Sequence, residues 1–292
     1  MYFDKPFGLG TAIITPFNDD SSIDYPALKK HLRFQIENNV DYIVALGTTS
    51  ESVTLSKEER TQVVEVILEE VKNHIPVIVG VGGYNTREII KTIQELPKDV
   101  YGILSVTPYY NKPSQEGLYQ HYREIALSTD KPIILYNVPG RTSVNMLPQT
   151  TIRLANDFKN IVAVKEASGI MTQIMEIIRQ KPSGFQVLSG DDSIAYPLLA
   201  AGADGLISVI ANAFPNQMSK LVHTALEGNF SEARKIHYKL LPLMLAIFED
   251  GNPSGIKKLM NSLNLVQNNL RLPLVPVNNN TSEKIDQLVR TL

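Results

Sequence analysis

The sequence predicts an α/β protein folded as a (β/α)8 TIM barrel with a C-terminal helical extension. Two observations carry the barrel. Short apolar runs alternate with amphipathic stretches from Gly8 to about Ser208, and the runs do not themselves alternate apolar with polar, as suits strands of a parallel sheet covered on both faces. The unit recurs eight times within the ~250 residues that such a barrel uses. A third observation carries the extension: from Pro215 to Leu263 the pattern is helical only. A doubly wound open sheet is the alternative, but it usually has fewer strands and a Gly-rich first turn, whereas here the first run leads into Thr15-Pro16-Phe17.

In chain order the predicted strands are Gly10 to Ile14, Tyr42 to Leu46, Val77 to Val81, Tyr101 to Val106, Ile133 to Tyr136, Ile161 to Val164, Phe185 to Leu188 and Gly205 to Val209. The helices between them include Tyr25 to Asn38, Ser56 to Asn73, Thr86 to Leu96 and Gln115 to Ser128. Ser56-Lys57-Glu58-Glu59 has the form of a capping box, which pairs the first serine with the fourth residue across a helix start. The barrel is assigned to residues 1–214 and the extension to residues 215–292. Breaks fall at Gly228-Asn229 and Gly251-Asn252-Pro253, no Pro-, Gly- or Ser-rich linker separates the two parts, and the closing residues read as a short helix.

The 292 residues, 43% of them hydrophobic, suffice for a large single core, and a formal net charge of −2 gives no reason to expect nucleic acid or an acidic membrane as partner. Cysteine is absent, which excludes disulfides and thiolate metal sites. The five histidines are scattered without metal spacing. Met1 to Pro6 has no targeting character and no apolar run is long enough to cross a bilayer, so a soluble cytoplasmic protein is expected.

Active sites of such barrels gather where strands end at the carboxyl face. The run Ile161-Val162-Ala163-Val164 leads into a single lysine, Lys165. Burial disfavours a charged amine, and a neutral amine attacks carbonyl carbon, so Lys165 can form an imine with a keto acid. Equally, a strand-end lysine can reach out to solvent. Other strand ends offer Thr48-Thr49, Tyr109-Tyr110, Tyr136, Arg141, Asp191-Asp192 and Ser208. Imine chemistry needs proton transfers that a phenol such as Tyr136 can carry if another hydroxyl orients it. Thr48 and Thr49 supply hydroxyls and backbone N–H groups for a carboxylate, and Arg141 offers a planar fork for a second one. Each residue also has a plainer reading: a packed tyrosine, helix-capping threonines, a surface arginine, an aromatic pair at a subunit interface. Gly80-Val81-Gly82-Gly83 suits a phosphate cradle or an ordinary strand-end turn, and Asp191-Asp192 lacks a third ligand for a metal. The joint occurrence of polar residues at matching strand ends favours a site.

These motifs, from Gly10-Thr11-Ala12 and Thr15-Pro16-Phe17 through Gly47-Thr48-Thr49 with Glu51-Ser52, Val106 to Tyr110, and Tyr136-Asn137-Val138-Pro139-Gly140-Arg141-Thr142 to Val164-Lys165-Glu166-Ala167, resemble over nearly the whole chain the 4-hydroxy-tetrahydrodipicolinate synthases, kin to N-acetylneuraminate lyase. The resemblance implies condensation of pyruvate with L-aspartate 4-semialdehyde, the first committed step of the diaminopimelate route to lysine. It also implies a homotetramer built as a dimer of dimers, with no metal or organic cofactor. By position it makes Lys165 the Schiff-base lysine, Tyr136 the general acid/base, and Thr48 and Tyr110 its relay partners, Tyr110 reaching the site of the neighbouring subunit. Thr49 and Ile207 hold pyruvate, Arg141 receives the semialdehyde carboxylate, and Gly190 makes a main-chain contact to it.

Three departures stand out. Ser50 replaces the glycine of the family pattern, a strain if that position requires positive φ. Asn252-Pro253-Ser254-Gly255 replaces the commoner Asn-Pro-x-Pro, a change expected to leave the rim chemistry untouched. Of the lysine feedback site, Ser52, Glu88 and Tyr109 fit, but Lys57, Arg60 and Tyr84 differ, and added cations repel a cationic effector, so weak or absent lysine inhibition is expected. Two alternatives remain: another pyruvate-dependent aldolase, acting on N-acetylneuraminate or a keto-deoxy sugar acid, and a keto-acid-binding barrel without turnover. Arg141 speaks against the first and the full relay set against the second.

Overall fold

Eight parallel strands close on themselves in strict chain order, so that β1 pairs with both β2 and β8. They are β1 Gly8–Ala12, β2 Tyr42–Ala45, β3 Val77–Gly80, β4 Gly102–Val106, β5 Ile133–Asn137, β6 Ile161–Glu166, β7 Gln186–Ser189 and β8 Gly205–Ser208. The computed structural model describes residues 8–72 and 74–292; Met1 to Pro6, read as lacking targeting character, and the expected helix end at Asn73 lie outside the described residues. The helices are α1 Tyr25–Glu37, α2 Lys57–Val71, α3 Thr86–Gln94, α4 Gln115–Leu127, α5 Pro139–Thr142, α6 Pro148–Asp157, α7 Met171–Gln180, α8 Ala195–Ala200, α9 Pro215–Leu226, α10 Phe230–Ala246, α11 Ser254–Ser262 and α12 Asn279–Arg290.

Alternation along each strand divides the core in two. One set of side chains, including Tyr42, Val44, Ile78, Leu104, Ile134, Tyr136 and Ile207, fills the barrel interior. The other, including Leu9, Ile43, Val79, Ile103, Ile133, Leu135 and Val187, meets the surrounding helices. Gly10 is required by this packing, since a Cβ there would run into the ring of Tyr42. The predicted α2 start is a true capping box: Ser56 Oγ accepts from Glu59 N and Glu59 reaches back to Ser56 N.

The apolar runs understate β6 at its carboxyl end. Tyr136 pairs with Lys165 and Asn137 with Glu166, so the ladder continues through the polar residues that follow the run. Beyond β8, α9 packs against β8, β1, α8 and α10, and α11 and α12 pack on one another. No helix of the described residues is long and apolar enough to cross a membrane.

Candidate active site

The β5–β6 register sets the centre. Because adjacent residues of a strand face opposite ways, the paired Tyr136 and Lys165 share one face and the paired Asn137 and Glu166 the other. Lys165 is 6% exposed, and its Nζ lies 4.4 Å from the centroid of the Tyr136 ring. Burial lowers the pKa of Lys165 to about 8; the carboxylate of Asp192 opposes that fall and the charge of Arg141 adds to it. Burial raises the Tyr136 phenol, while Arg141 and a hydrogen bond with the Thr48 hydroxyl hold it down. On the opposite face Glu166 is fully buried and accepts from Asn137 Nδ2 at 2.5 Å and Ser168 Oγ at 2.5 Å. Asn137 also accepts from Met146 N, so the ends of β5 and β6 are tied together behind the reactive pair.

The site opens into a cavity of about 1350 Å³ whose wall includes Thr48, Thr49, Tyr136, Arg141, Lys165 and Gly190. Gly190 is required there: a Cβ would come within 2.9 Å of Lys165 Cε and 2.8 Å of Ala167 Cβ. The missing side chain is the space that the lysine stem occupies. Thr49 is buried, and its Oγ1 accepts from Asn252 Nδ2 at 3.0 Å. The exposed Arg141 donates to the Asn252 carbonyl at 3.4 Å.

Six of the eight candidate residues therefore meet around one cavity. Ile207 instead lies in the barrel interior, and Val209 forms the cavity wall after β8. Tyr110 stands apart from Lys165 within the chain: it is 88% exposed, with φ of 71°, and its ring touches Tyr84. Tyr109 does line the cavity, edge-on to Tyr84.

One sequence expectation changes. Ser50 carries no positive φ; the left-handed residue is Glu51, φ 54°, and the Ser50 hydroxyl donates to the Ile13 carbonyl at 2.6 Å. The departure at Gly255 lies off the cavity, whereas Asn252 and Pro253, which keep the family pattern, line it and bring the extension to the rim. Two contributors were not legible as such. Asn252 reads only as a helix break, and Asp192, considered for a metal, accepts instead from Ser208 Oγ and the N–H groups of Val209 and Ile210. The residue type of Asp192 beside a strand end was the available signal. Gly80, weighed as part of a phosphate cradle, gives close backbone packing, since a Cβ would lie 2.6 Å from the Leu46 carbonyl oxygen.

Comparison with known proteins adds an independent observation. Residues 5–292 match the model of the dihydrodipicolinate synthetase family. The chain is 50% identical to a 4-hydroxy-tetrahydrodipicolinate synthase of Parabacteroides distasonis, the match covering 98% of this chain and 96% of that one. It is 49% identical to the enzyme of the same name from Phocaeicola vulgatus, with the same coverages. The solved structure of a dihydrodipicolinate synthase from Thermotoga maritima superposes with a TM-score of 0.95 at 44% identity, covering 97% of each chain.

Proposed function

The chain belongs to the dihydrodipicolinate synthetase family, and from that premise we propose that it condenses pyruvate with L-aspartate 4-semialdehyde to 4-hydroxy-tetrahydrodipicolinate. The observation that carries the chemistry is the buried Lys165 amine, with its pKa brought down to about 8, against a tyrosine that a threonine hydroxyl orients. The neutral amine attacks the keto carbon of pyruvate to give a carbinolamine. Tyr136, relayed by Thr48, supplies the proton with which the hydroxyl leaves as water, giving the imine. The Tyr136 phenolate left by that transfer takes up a methyl proton to give the enamine, whose carbon adds to the aldehyde as the aldehyde oxygen is protonated, and the amino group of the semialdehyde then displaces the Lys165 amine with ring closure. Thr49 and its backbone N–H hold the pyruvate carboxylate, Gly190 offers a main-chain contact, and the guanidinium of Arg141 receives the carboxylate of the semialdehyde. An arginine at that place favours a short acidic aldehyde over a polyol, which speaks against a sugar-acid lyase.

The exposed Tyr110 is assigned to the site of a neighbouring subunit in a homotetramer built as a dimer of dimers. Its substitution by Phe lowers turnover while pyruvate adduct formation persists. A cytoplasmic location fits a biosynthetic role. Lysine inhibits weakly or not at all, because the cationic Arg60 lines the groove beside the site; Lys57 lines it too, though Glu95 at 2.8 Å offsets its charge. The decisive experiment is intact mass after incubation with pyruvate and borohydride, followed by peptide mapping and a turnover assay with L-aspartate 4-semialdehyde. A reduced pyruvyl adduct on Lys165 together with turnover supports the reading. Absence of the adduct in folded protein defeats it, and an adduct without turnover leaves imine chemistry on a different aldehyde.

A further inference from the structure

The turn that carries Thr48 and Thr49 is held by a buried ion pair from the far end of the chain. Glu51 and Lys257 are both without side-chain exposure, and Lys257 Nζ lies 2.5 Å from Glu51 Oε1. Lys257 also donates to the Asn269 carbonyl at 2.8 Å and stands 4.2 Å over the Phe17 ring. The second carboxylate oxygen of Glu51 accepts from Arg271 N at 3.1 Å, and the Arg271 guanidinium forks onto Glu59 at 2.6 and 2.7 Å. Glu51 itself sits in left-handed backbone between the 3-10 turns Thr48–Ser50 and Ser52–Thr54, and its N–H donates to the Thr48 carbonyl at 3.1 Å. A left-handed non-glycine residue at such a place persists only where its surroundings over-determine it, and the side chain of Glu51 has all its partners in the C-terminal extension.

We propose that Glu51 and Lys257 are positioning residues for the condensation, fixing the turn that presents Thr48 to the Tyr136 phenol and Thr49 to the substrate, so that the extension acts on the reaction through this buried ion pair as well as through the Asn252 contact to Thr49. This rests on the functional reading above. Stability alone is a weak account of the pair. Burying two charges costs much of what their attraction returns, and well-packed apolar residues often serve as well. Small displacements of a group that orients a proton carrier lower the rate steeply, by ~100-fold for about 1 Å.

The test compares wild-type enzyme with Glu51→Gln, which keeps the shape and one hydrogen bond to Lys257 but removes the charge, and with the double variant Glu51→Gln/Lys257→Met. Each is assayed well below its own melting temperature, with pyruvate trapping at Lys165 measured alongside. In at least one folded variant kcat should fall tenfold or more while the trapped adduct on Lys165 persists. The alkaline limb of its pH profile should move up, because the phenol loses the Thr48 bond that holds its pKa down. Variants that melt earlier yet keep kcat and the alkaline limb of wild type would reduce the pair to a structural contact and overturn the proposal. If the double variant does not fold, Glu51→Gln alone decides by the same two readings. Failure of the wild-type enzyme to turn over the semialdehyde would count against the proposed function, and is seen before any variant is compared.

Discussion

The protonation state of Lys165 can be read from the pH dependence of imine formation. With a pKa of about 8, about 9% of the amine is neutral at pH 7, against roughly 0.03% for a lysine at its ordinary value. The site thus holds roughly 300 times more nucleophile at neutral pH than an exposed lysine would. At fixed sub-saturating pyruvate, the initial rate of cyanoborohydride-trapped adduct, followed by intact mass, should rise about fivefold from pH 7 to 8 and less than about twofold above pH 8.5. The cause is separable by a second perturbation. The Asp192 carboxylate is what opposes the desolvation of the ammonium, so Asp192→Asn should move the bend to lower pH while the adduct still forms. A rate that climbs about tenfold per pH unit up to about pH 9.5 would show an ordinary lysine. A bend that stays put or moves up in Asp192→Asn would show that Asp192 does not set it. Either result refutes the reasoning.

Gly190→Ala places a methyl 2.9 Å from Lys165 Cε and 3.1 Å from the Glu166 carbonyl oxygen, an overpacking expected to cost about 1–3 kcal/mol. Denaturant melting should show that loss together with a tenfold or greater fall in adduct formation, and unchanged trapping would remove the packing argument. Asn252→Ala deletes the donor to Thr49 Oγ1; a lost hydrogen bond of about 1 kcal/mol corresponds to roughly a fivefold rise in KM for pyruvate, which steady-state kinetics at fixed semialdehyde will detect or exclude. Burial lowers the pKa of His31 and of His121 to about 4. Each takes up its proton near pH 6.5 when unfolded but only near pH 4 when folded, so their stabilisation is complete above about pH 7.5 and is lost on acidification, by about 1.6 kcal/mol per group between pH 6.5 and 5. Urea melts at those two pH values measure it. A His31→Gln variant as acid-sensitive as wild type would exclude His31 as a source.

Much of the barrel was legible because its signal is local. Burial on both faces makes each parallel strand a continuous apolar run, and the polar residue that ends the run marks the carboxyl rim. Lys165 and Tyr136 were candidates on that ground, favoured by the joint occurrence of polar residues at matching strand ends, and the capping box at Ser56 was legible from its own four residues. What escaped were contacts between residues distant in the chain. Asn252 meets Thr49 across a separation of 203 residues and Lys257 meets Glu51 across 206, and no periodicity encodes such a meeting. Tyr110 is different again: one chain leaves its ring 88% exposed, so the role proposed for it requires a second subunit.

The sequence by itself thus determined the number and kind of the barrel units and marked Lys165 and the carboxyl rim as candidates, because strand burial and strand ends are properties of neighbouring residues. Only the tertiary structure decided that Glu51, not Ser50, takes the left-handed backbone, that Asp192 opposes the pKa fall of Lys165, and that the C-terminal extension reaches the rim through Asn252 and Lys257. Those outcomes depend on how a closed barrel brings remote segments into contact and excludes water from their charges, and that desolvation is what turns an ordinary lysine into one with a pKa of about 8.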